Sequence, residues 1–137
     1  MGVSSDIQHP NKAIVREFFD SLSAAEFARA GRLIKPGGSW SVPRRRLVNR
    51  LDDQLKIIES ESVRFVLGEL TAEENRVSAL AEGYMTRPDG RTSYKTYHFL
   101  IRIEGQLIGE VIMYDDHRFA VPADAESATG IVPPVRP

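Results

Sequence analysis

The apolar residues of this chain change their spacing once, near Glu61, and that change limits the folds open to it. Before it they recur every three or four residues, the period of a helix with one buried face. After it they alternate, the period of a strand with one buried face. The alternating half divides into four runs, 62–71, 75–86, 91–104 and 106–116. Their separators are short: Ala72-Glu73-Glu74-Asn75, Pro88-Asp89-Gly90 and Glu104-Gly105-Gln106. Links of that length make antiparallel hairpins, because parallel neighbours need a crossover of about a dozen residues or more. Helices first and a meander afterwards is the α+β pattern.

The helical half subdivides further. Residues 11–22 place Ile14, Val15, Phe18, Phe19 and Leu22 on one stripe, with Asn11 as the expected N-cap. Ser23 and Glu26 have capping-box spacing and open a second helix. Its stripe is Phe27, Ala30, Leu33 and Ile34, and Pro36-Gly37-Gly38 is expected to end it. Residues 39–42 read as a short strand. Pro43 then opens a third helix, from Arg44 to Ser60, on Leu47, Val48, Leu51, Leu55 and Ile58. Beyond residue 119 the chain carries Pro, Ala and Ser without a periodic face and reads as an extended arm. The expected organisation is an N-terminal extension over 1–10, one domain over 11–119 and a tail over 120–137.

Composition narrows the function classes. A chain of 137 residues suits one domain, and 42% hydrophobic with 27% charged residues is globular rather than disordered. Lys and Arg number 18 and Asp and Glu 19, so no broad field draws nucleic acid or an anionic membrane. The absence of cysteine removes thiolate nucleophiles and Cys-ligated zinc. His9, His98 and His117 show no zinc spacing, and no Gly-rich phosphate loop or G-x-S-x-G turn is present. No metal and no cofactor is expected. No apolar run approaches the roughly 20 residues of a membrane span, and the N-terminus lacks the regions of a secretory signal, so a cytoplasmic location is the default expectation.

Three stretches carry a family resemblance. NKAIVREFFDSLSAAEF is similar to the opening helices of the nuclear-transport-factor-2-like (NTF2-like) superfamily, in its SnoaL-like and ketosteroid-isomerase-like branch. PDGRTSYKTYHFLIRIEGQLI resembles that family's late strand pair, and MYDD resembles its terminal Glu-Tyr-x-Asp. The resemblance spans about residues 11–118. It implies three N-terminal helices packed on a strongly curved antiparallel sheet, with a conical cavity for a small apolar molecule. It also implies dimers through the outer sheet face, where His98, Leu100, Ile112 and Tyr114 form the candidate patch.

The candidate site follows from strand alternation and from the motif. Tyr97, Phe99, Ile101 and Ile103 share the inner face of their strand, which puts His98 outside. On the last strand, Val111, Met113 and Asp115 share a face, so alternation turns Asp115 toward the cavity. The motif instead matches Asp116 to the family's aspartate and leaves Met113 where Glu is usual. Both Asp115 and Asp116 therefore stand as candidate general bases, with Asp116 favoured on the motif match and Tyr97 as a candidate donor. Trp40, Phe19, Tyr84, Phe99 and Met113 are the candidate ligand-binding residues. The plainer reading of the two aspartates is a solvated strand end, paired with Arg118 or with Arg44, Arg45 and Arg46.

Two functions fit. One is a cofactor-independent isomerase, cyclase or dehydratase acting on a small apolar carbonyl-bearing molecule. The other is a non-catalytic module that binds a hydrophobic ligand or pairs subunits on the same fold. Met113 at the usual Glu position favours the second.

Overall fold

The computed structural model describes residues 9–115. The expected arm over 120–137, with Asp116, His117 and Arg118, lies outside the described residues. The chain order is α1 (Pro10–Ser23), α2 (Phe27–Gly31), β1 (Ile34–Val42), a 3-10 turn (Pro43–Arg45), β2 (Leu47–Arg50), α3 (Leu51–Glu61), β3 (Arg64–Glu73), β4 (Arg76–Thr86), β5 (Thr92–Glu104) and β6 (Leu107–Asp115). All six strands form one curved, open sheet in the order β2-β1-β6-β5-β4-β3. The four later strands pair antiparallel, as their short links require, whereas β1 pairs parallel to β6. Among the described residues no helix is long and apolar enough to cross a membrane.

α1 packs its apolar stripe on the inner sheet face, burying Val15, Phe18, Phe19 and Leu22. Phe19 meets Phe99 at 4.8 Å and Phe65 at 5.6 Å between ring centroids, and Trp40 meets Phe99 edge-on at 5.6 Å. The facing positions of β4 shrink to admit these rings. Ala79 stands against Phe99, Ala81 against Tyr97 and Gly83 against Lys95. Leu51, Leu55 and Ile58 of α3 complete the core.

The helical half departs from its sequence pattern at three places. Helix α1 begins with Pro10 at its first turn after His9, and Asn11 instead donates through its amide to the Glu74 carbonyl at 2.8 Å. Proline suits that first position because its missing N–H has no partner there anyway. The capping box at Ser23 does not form. Its hydroxyl donates to the Phe65 carbonyl and accepts from the Phe65 N–H at 3.2 Å, pinning the end of α1 to β3. Helix α2 is consequently a short five-residue piece, and Ile34 already belongs to β1.

Pro36-Gly37-Gly38 is a bulge inside β1, not a stop after a helix. Ile34 pairs with Ile108 and Ser39 with Glu110, so residues 35–38 stand against Gly109 alone. Gly37 takes φ +83°, and a Cβ on Gly38 would meet Leu51 Cδ1 at 2.6 Å and the Gly109 carbonyl at 2.8 Å. The third helix is shorter than its spacing suggests. Residues 47–50 leave it to form edge strand β2, where Leu47 and Val48 are exposed. Three helices therefore do not precede the sheet: two do, and α3 stands between β2 and β3.

Candidate functional site

Beyond the reach of α1, the inner face is left open and walls a cavity of about 610 Å³. The sheet supplies one side, and α3 supplies the other through Gln54, Ile57, Ile58 and Glu61. The position of each polar side chain follows from alternation. On β5 the inward set runs Ser93, Lys95, Tyr97 and Phe99; on β6 it runs Val111, Met113 and Asp115. Tyr97 and Asp115 are register partners on neighbouring strands. Their Cβ atoms are therefore about 4.5–5.5 Å apart on one face.

Asp115 keeps only 5% of its side chain exposed, and its Oδ2 lies 3.5 Å from Lys95 Nζ, whose side chain is 18% exposed. This is an ion pair largely withdrawn from water at the wall of a cavity. The Tyr97 ring stacks on Phe99 at 5.8 Å and meets Phe65 edge-on at 5.8 Å. It can approach β4 because Gly83 carries no side chain: a Cβ there would lie 2.5 Å from Tyr97 Cε2. Trp40 lines the cavity from β1, and its indole N–H has no hydrogen-bond partner among the described residues. Next to it on β2, Asn49 donates its amide to Gln54 Oε1 at 2.7 Å.

Of the candidate residues, Asp115, Tyr97, Trp40 and Met113 are thus brought to one cavity. Asp116 lies outside the described residues. Phe19 and Phe99 do not line the cavity; both are fully buried behind its wall, in contact with each other. Tyr84 borders the rim, but its hydroxyl donates to Glu82 Oε1 at 2.6 Å and its ring stacks on Tyr94. The Glu82 carboxylate raises the phenol above its ordinary pKa, and Glu82 itself does not line the cavity. His98 is on the outer face, with Nε2 2.6 Å from Ser78 Oγ.

Lys95, Asn49 and Gln54, with Ser93, Glu61 and Arg87, are cavity-lining polar groups that sequence reasoning passed over. For Lys95 the signal was present, because it continues the inward set Tyr97, Phe99, Ile101 by one more step of two. Asn49 carried no comparable signal, since its strand was hidden inside a helical spacing. Among the described residues no cluster of three His, Asp or Glu offers a metal site.

No family model and no curated protein matches the chain. Solved structures do. An NTF2-like protein of unknown function from Cytophaga hutchinsonii superposes with a TM-score of 0.66 at 19% identity, over 79% of this chain and 91% of its own. The epoxide hydrolase/cyclase-like enzyme SalBIII, described for pyran ring formation in the polyether salinomycin, gives 0.73 at 14% identity, over 81% and 94%. The fold is NTF2-like. A candidate ketosteroid isomerase from Kribbella flavida shares it with a TM-score of 0.66 at 17% identity, over 90% of each chain. Identities this low carry the NTF2-like fold and no residue roles. What the NTF2-like scaffold does here has to be argued from Asp115, Lys95 and Tyr97 themselves.

Proposed function

We propose that the protein is a cofactor-independent isomerase or cyclase that moves a proton on a small, largely apolar, carbonyl-bearing molecule held in the cavity. The observation that carries this reading is the place of Asp115, a carboxylate 5% exposed on a cavity wall, opposite the phenol of Tyr97. A carboxylate so placed can take a proton from carbon next to a carbonyl. A phenol beside it can donate to the carbonyl oxygen as negative charge gathers there. Trp40 and Met113 give the ligand an apolar wall, and elimination of water from such a molecule would use the same base. The isomerase and cyclase names of two structural neighbours support the reading only as occupants of the same fold.

A second reading, a ligand-binding module without turnover, is favoured by one observation. Lys95 Nζ lies 3.5 Å from Asp115 Oδ2, so the carboxylate already has a partner within the protein. Mass spectrometry of small molecules retained by the purified protein supplies the ligand class for the deciding test. Proton NMR in D2O then follows exchange of the hydrogens next to the carbonyl. Protein-catalysed exchange, falling by about 10²- to 10⁴-fold in Asp115→Asn, is the expected result. Binding without exchange establishes the module, and exchange unchanged in Asp115→Asn removes the base.

A further inference from the structure

We propose that Lys95 is a second catalytic group, holding the oxyanion that forms when Asp115 takes a proton from the ligand. The proposal rests on the proton-transfer reading and deepens it. The ion pair itself motivates it. Burying two charges at 18% and 5% exposure is a poor route to stability, because lost hydration offsets much of the attraction. The pair also faces a cavity rather than packed core, so a ligand can reach both members.

Charge is conserved in the step. At rest, Lys95 is cationic and Asp115 anionic, and together they are neutral. A C–H bond beside the carbonyl breaks, and its proton bonds to an Asp115 oxygen. The C–H electron pair becomes a carbon–carbon double bond, while the carbonyl π pair moves onto oxygen. Asp115 is now neutral and the ligand oxygen is negative, so the sum beside Lys95 has not changed. No net charge is created where water is scarce, which is the costly event in such a site. Only the position of the anion moves, and the flexible four-carbon stem of Lys95 can follow it. Return of the proton to a different carbon restores the original pair, giving an isomerisation with no other reactant.

Among the described residues, the other charged groups on the cavity wall are Arg45 from the 3-10 turn, Glu61 from α3 and Arg87 after β4, with the phenol of Tyr97 beside the pair. Arg45 and Glu61 are exposed, so water screens them more strongly than it does Lys95. The favoured ligand class is therefore an enolisable carbonyl compound, and its tightest analogues should be anions of the enolate or phenolate type.

The test uses 2-naphthol, whose ionised and neutral forms differ in absorbance. Asp115→Asn stands in for the protonated carboxyl. Bound to that variant, naphthol should ionise at a lower pH than free naphthol, by about one pH unit or more, equal to about tenfold preference for the anion. Asp115→Asn/Lys95→Met removes both charges of the pair, and a circular dichroism spectrum matching the wild type's shows that it keeps the fold. In it the shift should vanish. A bound naphthol that ionises alike in the two variants overturns the role of Lys95 while leaving the cavity as a ligand site. Failure of naphthol to bind the wild-type protein or either variant overturns the small-molecule reading of the cavity, and this proposal with it.

Discussion

A single methyl group at Gly83 reports on how the cavity wall is held. Built on Gly83, a Cβ would meet Tyr97 Cε2 at 2.5 Å, Tyr97 Cδ2 at 3.2 Å and Phe65 Cε1 at 3.3 Å. Carbon atoms prefer about 3.5–4.0 Å, so the Tyr97 ring would have to shift by about 1 Å. Strand β4 cannot move away, because it is paired on both sides. Overpacking of this kind costs about 1–3 kcal/mol. Against it stands the gain of about 0.5–1 kcal/mol from replacing a strand glycine by alanine. In a Tyr97→Ala background the obstructing ring is gone, and only that gain remains. The effect of Gly83→Ala should therefore differ between the two backgrounds by about 1–3 kcal/mol. Urea unfolding followed by circular dichroism measures all four proteins, with an unchanged denaturant slope as the sign that the comparison is fair. Equal effects in both backgrounds, within about 0.5 kcal/mol, would refute the claim that Gly83 exists to seat Tyr97.

Phe19→Ala should cost about 3–5 kcal/mol by the same assay, since Phe19 is fully buried between α1 and the sheet. A loss below about 1 kcal/mol would contradict its place at the centre of the aromatic cluster. Lys35 lies 2.5 Å from Glu104 Oε1 and holds that carboxyl below its usual range, through a hydrogen bond first and its charge second. The stabilisation is present above the ordinary glutamate value of 4.5 and disappears as pH falls below it through the folded value, so wild-type and Lys35→Met stabilities should converge in acid. We propose a second copy of the chain as the occupant of the outer sheet face, where Leu80, His98 and Tyr114 form one cross-strand row and Leu100 and Ile112 the next. Sedimentation should give a dimer that Leu80→Arg disrupts, and a wild-type monomer at micromolar concentration would end that expectation.

The later strands were legible because a period of two admits one inner face, and Phe99, Ile101 and Val111 are indeed fully buried. The earlier half misled where two periods coincide. Leu47 and Val48 sit four and three residues before Leu51, which fits a helix, yet they pair with Val42 and Ser41 as an edge strand. Only tertiary pairing decides between the two, and spacing cannot see it. The same blindness applies to Pro36-Gly37-Gly38. Pro and Gly mark a break in regular structure, but a bulge and a helix end look alike in one dimension. At the site, alternation turned Asp115 inward, and the strand places it there. The motif match to Asp116 falls outside the described residues. Lys95 was missed because the inward set was counted from Tyr97 onward, and one further step of two back along β5 reaches it.

The parallel pairing of β1 with β6 also bears on the order in which the molecule assembles. Every other neighbour of the later strands is the next one in the chain, reachable by closing a short turn. The β1–β6 ladder instead joins Ser39 to Glu110, across most of the described chain. Its loop-closure entropy is the largest in the fold and is recovered only once β6 exists to receive β1. On a ribosome, Trp40 and Asp115 cannot face a common space until nearly all of the described chain has emerged. We expect pulse-labelled hydrogen exchange to protect the β4–β5 amides before those of β1, and the reverse order would show that this long-range ladder nucleates folding instead.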